Sequence, residues 1–182
     1  GLDGPFYRGM REGMVDGIHV IEFDLSYSNA DSFIKRTRIF LWFAVRSIGV
    51  ALFEKYDLIF ATSTPLTAGI PGIFARWMRK KPFVFEVRDL WPELPREMGV
   101  ITNPVVLWLM GILEWTSCRS ARRLMGLSPG IVKGIARLGV SEENIAMIPN
   151  GCDLEIFGCS DWPWRPVGVE KDALMAPPEP CS

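Results

Sequence analysis

Four polar clusters hold the residues best suited to chemistry, and each follows a short apolar run. They are Thr62-Ser63-Thr64-Pro65, Arg88-Asp89-Leu90-Trp91-Pro92-Glu93, Ser128-Pro129-Gly130 and Asn150-Gly151-Cys152-Asp153. The second is the least ordinary. The run Phe83-Val84-Phe85-Glu86-Val87 ends in a guanidinium and a carboxylate followed by Trp-Pro-Glu, where a plain loop would use Gly, Ser or Asn. Arg88 and Asp89 either close a salt bridge that pins the loop or stand at the lip of a crevice. Trp91-Pro92 is either an apolar plug beneath the loop or a platform on which a sugar ring could stack, and Glu93 either lines the site or merely begins the next segment. Thr64-Pro65 and Ser128-Pro129 place a hydroxyl before proline, the pair that opens a helix. Capping alone accounts for such pairs, at about 1 kcal/mol each. The free N–H groups and positive dipole end would equally suit a phosphate or a sugar hydroxyl. Asn150-Gly151 is first of all a turn signal.

The elements that must position these clusters follow from periodicity. Strands are expected at His19–Phe23, Leu58–Thr62, Phe83–Val87, Leu124–Leu127 and Ile145–Ile148. Helices are expected from Asp31 to about Lys55, from Thr64 to about Met78, from Asn103 to about Arg123, and from Ser128 to Leu138, where Gly139 supplies a C′ stop. No strand is expected within residues 1–17. Short apolar strands alternating with helices make βαβ units, hence a parallel sheet covered on both faces. With right-handed crossovers the class is α/β, a Rossmann-like doubly wound parallel sheet. Ligands of such sheets bind beyond the carboxyl ends of the strands, so all four clusters should share one rim. From about Phe157 the pattern dissolves into a Pro-rich stretch. The expected division is a domain over 1–156 and a linker or tail over 157–182.

Bulk properties narrow the function. The chain has 182 residues, 48% hydrophobic and 23% charged, with a net charge of −1, so no global field draws nucleic acid. Basic residues do cluster, at Lys35, Arg36 and Arg38 and at Arg76, Arg79, Lys80 and Lys81. These are either solvated helix faces or contacts for anionic lipid headgroups or a phosphate. The four cysteines, Cys118, Cys152, Cys159 and Cys181, form no CxxC pair and suit no zinc site; reduced thiols and a cytoplasmic setting are expected. The single histidine, His19, lies in the first strand-like run, which argues against a Ser-His-Asp triad and a multi-histidine metal site. No GxGxxG and no Walker A motif occurs, which argues against a standard dinucleotide fold and a P-loop enzyme. The greasiest run, Ile39–Phe53, is too short to span a bilayer and carries Arg46, so it reads as a helix that is buried or rests on a surface.

Together, STPLT at 63–67, KPFVFEVRDLWPELP at 81–95, LSPGI at 127–131 and IPNGCDLEIF at 148–157 resemble the family 4 glycosyltransferases of bacteria. The likeness is greatest to the branch that builds lipopolysaccharide, capsule or colanic-acid-type polysaccharides, and it runs from about His19 to Phe157. The resemblance implies the GT-B arrangement, two Rossmann-like domains with the active site between them. The amino-terminal domain holds the acceptor, and the carboxyl-terminal domain holds the nucleotide-sugar donor through a pair of glutamates. It implies retaining transfer with no bound metal or cofactor. The expected acceptors are glycans on polyprenyl diphosphate at the cytoplasmic membrane face, with the helix at 39–53 and the basic clusters as a peripheral membrane patch. This chain would be the acceptor-side half, inactive without its donor domain. By position, Asp89 would lie nearest the reaction and Arg88 would orient it. Ser63 and Thr64 would lie on a neighbouring cleft loop, and Asn150, Gly151 and Asp153 at the crossover to the second domain. Independently of the resemblance, Trp91, Glu93 and Ser128 follow predicted strands on the same rim and are expected to bind substrate. Two other readings stand beside it. One is a non-enzymatic Rossmann-like module for a lipid-linked glycan or partner protein. The other is a small nucleotide-binding enzyme, which the lack of a Gly-rich loop disfavours.

Overall fold

Strict alternation sets the middle of the molecule. Phe83, Phe85 and Val87 are buried while Val84 and Glu86 are only partly so, as a period-2 strand with one covered face requires. The computed structural model describes residues 2–151 apart from 27, 29–31, 98 and 100. It divides into two compact units, Gly1–Pro149 and Asn150–Ser182. Of the second unit, Asn150 and Gly151 are described, and both are exposed. Cys152, Asp153, Cys159, Cys181 and the Pro-rich stretch lie outside the described residues.

The first unit is α/β and Rossmann-like. Strands β3 (Ile59–Thr62), β4 (Phe83–Val87), β5 (Arg123–Gly126) and β6 (Ile145–Met147) form a parallel sheet in the order β3-β4-β5-β6. Phe85 lies in register with Ala61 and Leu124, and Val87 with Gly126. Helices α2 (Gly69–Met78), α4 (Pro104–Ser120) and α5 (Pro129–Arg137) pack on the face that carries Phe83, Phe85 and Val87. Leu66, Cys118, Leu124 and Ile135 complete that core. The sheet was expected to be covered on both faces, but these three connecting helices lie on one. Crossovers of one hand, between strands whose order advances in one direction, deliver their helices to the same side. The opposite face carries Phe60, Val84 and Met125 among Thr62, Glu86 and Arg123, and Phe60 is 52% exposed.

Close approach, not propensity, explains Gly72 in α2. A Cβ on Gly72 would lie 2.2 Å from the Phe83 ring, so only glycine lets the helix sit directly on β4. The helix starts behave as read at two of three sites. Asn103 accepts hydrogen bonds from the Val105 and Val106 N–H groups, with Pro104 at the first helical position. Ser128 accepts from the Ile131 N–H at 3.3 Å, and Gly139 ends the segment at φ +82°. Thr64-Pro65 differs. Its peptide bond is cis, its side chains cap nothing, and a 3₁₀ turn at Leu66–Ala68 intervenes before α2.

The amino-terminal region departs furthest from expectation. His19–Phe23 does not join the parallel sheet, and residues 1–17 do contain a strand. β1 (Met10–Val15) and β2 (Ile18–Phe23) form an antiparallel hairpin. Asp16 and Gly17 turn it with φ of 50° and 79°, the positive angles of a two-residue hairpin turn. Arg11 pairs with Glu22 across it at 2.6 Å. The Leu2 N–H and the Arg11 guanidinium together hold the Glu22 carboxyl below its usual range. Helix α1 (Phe33–Phe53) holds the hairpin. Arg46 lies over the Phe23 and Trp42 rings and donates to the Arg8 carbonyl at 3.0 Å, and Phe43 meets Phe23 edge-on. This is why the apolar run carries an arginine. No helix among the described residues is long and apolar enough to cross a membrane.

Candidate active site

Parallel pairing brings three of the four polar clusters to one rim. Thr62, Glu86 and Met125 are mutually in register, so Ser63, Arg88 and Ser128 all leave the sheet at its carboxyl edge. Two contacts fix the first two clusters together. The Ser63 N–H donates to the Glu86 carbonyl, and the Ser63 hydroxyl accepts from the Arg88 N–H, both at 2.9 Å. Ser63 is buried; its hydroxyl supports the loop from beneath, while the adjacent Thr64 is exposed. The third cluster joins through α5. Leu90 occupies a notch there, since a Cβ on Gly134 would lie 2.4 Å from Leu90 Cδ1. Ser128 caps that same helix.

The loop from Arg88 to Glu93 is the centre of this arrangement. Arg88 is exposed and Asp89 is half-buried, and among the described residues neither side chain forms a hydrogen bond or ion pair. The salt bridge that would have explained the pair is therefore not formed between them. Trp91 packs against the hydrophobic core, which favours the plug over the stacking platform. The Trp91-Pro92 peptide is cis, and Pro92 lies over Gly111 of α4. Glu93 opens the short helix α3 (Glu93–Glu97) and is exposed.

Beneath the loop sits a residue that sequence reading overlooked. Glu114 of α4 is only 4% exposed, and its carboxylate accepts the Trp91 N–H at 2.8 Å. Burial pushes its pKa up to about 7, the Trp91 bond pulls the other way, and the nearby Glu93 adds to the rise. Burial and this carboxylate push the Cys118 thiol, one turn on, up to about 12, so it is an inert core group. The signal was present: one acid in the otherwise apolar run VVLWLMGILEW.

Beside the loop, an apolar groove of about 400 Å³ is lined by Pro92, Arg96, Trp108, Ile112 and Trp115. The basic cluster at Arg76–Lys81 is remote from this rim. Arg79 donates to the Ala51 and Glu54 carbonyls at the end of α1, and with Lys55, Tyr56, Asp57 and Lys81 it lines a cavity at the amino edge of β3 and β4. It braces a helix terminus. Asn150 and Gly151 follow β6 in sequence and belong to the second unit. Residues 5–151 match the family described as glycosyl transferase 4-like domain. No curated protein matches the chain.

Proposed function

Because the chain belongs to the glycosyl transferase 4-like domain family, we propose that it is the acceptor-side domain of a retaining GT-B glycosyltransferase. The complete enzyme would move a sugar from a nucleotide-sugar donor to a lipid-linked glycan in cell-surface polysaccharide synthesis of the lipopolysaccharide or capsule type. One observation carries the reading. A guanidinium and a carboxylate on consecutive residues, neither with a partner among the described residues, follow β4 at the carboxyl edge of a parallel sheet. Glycosyl transfer breaks the bond from the anomeric carbon to the diphosphate and forms one to the acceptor oxygen. Positive charge develops on the ring and negative charge on the departing group. Asp89 suits the first and the accepting hydroxyl; Arg88 orients Asp89 or meets the diphosphate. Thr64, Glu93 and the capped start of α5 at Ser128 complete the acceptor rim. Asn150, Gly151 and Asp153 lead toward the donor half, whose nucleotide sugar is a substrate and not a resident cofactor.

A second reading, a module that docks its surface on the membrane interface, is favoured by the exposed stripe Val105, Trp108, Leu109, Ile112 and Trp115 on α4. These residues recur at helical spacing, and tryptophan suits that interface. Calorimetric titration with farnesyl-diphosphate-linked N-acetylglucosamine separates the two. The first reading expects binding that Asp89→Asn weakens about tenfold or more, roughly 1.4 kcal/mol, with the melting temperature unchanged, and no uptake of nucleotide sugar. Equal binding by the variant, or none by the parent chain, overturns it.

A further inference from the structure

The loop that carries Arg88 and Asp89 is held at four points. The Arg88 N–H is fixed to Ser63 at 2.9 Å, Leu90 fills the notch at Gly134, Pro92 lies over Gly111, and the Trp91 N–H is fixed to Glu114 at 2.8 Å. Three of these contacts do not respond to protons. The fourth ends on an ionisable group that the loop itself covers: Glu114 is 4% exposed, and its contact runs to the backbone between the two candidate reactive residues and Glu93. We propose that Glu114 is a positioning residue, a buried carboxyl that latches the Arg88–Glu93 loop against α4 and whose ionisation loosens that latch.

The direction follows from linkage. Closed, the carboxyl has its pKa raised to about 7, chiefly by burial. Lifting the loop hydrates it and returns it toward its ordinary 4.5. The closed form therefore holds the proton more tightly, and raising the pH through 7 favours opening. The charged groups nearby do not reverse this. Glu93 of α3 disfavours ionisation, and Cys118, on the same face of α4, stays protonated. Among the described residues, Arg88, Asp89, Arg96 and Glu97 of the loop and α3, Arg76 of α2 and Glu86 of β4 form no hydrogen bond or ion pair with it. The functional meaning rests on the acceptor-side reading above; the latch itself does not.

Hydrogen exchange of the full chain, with rates corrected for the intrinsic pH dependence, tests the inference. Between pH 6 and pH 8, protection of a peptide covering residues 88–97 should fall about tenfold in the parent chain. Peptides from β4 and α5 should not follow. Glu114→Gln keeps an acceptor for Trp91 but cannot titrate, so the loop should stay protected at both pH values. Glu114→Ala should lose loop protection at pH 6. A flat parent profile, or a fall that persists in Glu114→Gln, overturns the proposal. Loss of acceptor binding by Asp89→Asn is independent of either result, so the two readings fail separately.

Discussion

At the scale of single residues, neighbours on the same rim answer to different physics. Among the described residues the Asp89 side chain has no hydrogen-bond or ion-pair partner, so its removal should spare the fold. Ser63 is the opposite case: fully buried, it accepts the Arg88 N–H at 2.9 Å. Ser63→Ala leaves that N–H without its acceptor, which costs about 1–3 kcal/mol. Urea denaturation should show that loss, and under the proposed acceptor-side function the displaced loop should also bind acceptor more weakly. Arg88-Asp89 stood out in the sequence because a charged pair directly after an apolar strand has few structural explanations, and its place at the carboxyl edge of β4 was legible from the strand pattern. Ser63 and Trp91 were legible as positions but not as roles. Nothing in their types tells whether a hydroxyl faces inward or an indole fills the core; only the register and the packing of α4 decide that.

At the scale of elements, fit between backbones carries more than any cap. α2 can lie on β4 only because Gly72 has no side chain to meet Phe83. Gly72→Ala should therefore destabilise by about 1–3 kcal/mol as an overpacked core site, despite raising helix propensity. Thermal unfolding followed by circular dichroism would register it, and a neutral or stabilising effect would show that α2 can shift outward. Strand β4 and the starts of α4 and α5 were readable because alternation and Asn-Pro or Ser-Pro are local signals. The hairpin was misread for the same reason. Ile18–Phe23 is an apolar strand by composition, and composition does not reveal its pairing partner. Asp16-Gly17 was the missed cue, since both residues sit at positive φ. Thr64-Pro65 likewise carries a helix-opening signature, but a cis peptide and a 3₁₀ turn take its place.

At the scale of the whole molecule, one buried acid sets part of the pH response. Glu114 has a folded-state pKa raised from 4.5 to about 7, so the fold binds its proton more tightly than the unfolded chain does. Its stabilising contribution is complete below about pH 4.5 and is lost as the pH rises through 7, on the order of 3 kcal/mol at most. Glu22 works in the other direction: its lowered pKa adds stability above the ordinary carboxylate range that fades in acid, and it is a surface group. Denaturation curves at pH 5 and pH 8 should therefore differ more in the parent chain than in Glu114→Gln. Equal differences would show that Glu114 titrates normally.

The sheet face bearing Phe60, Val84 and Met125 has a practical side. Its exposed Phe60, together with the tryptophan stripe of α4, offers apolar area to small fluorescent probes before any unfolding begins. A dye such as ANS should glow in the native protein at room temperature, and heating should start from a high baseline. Melting curves taken by dye fluorescence would then understate the transition, whereas loss of ellipticity would track it faithfully.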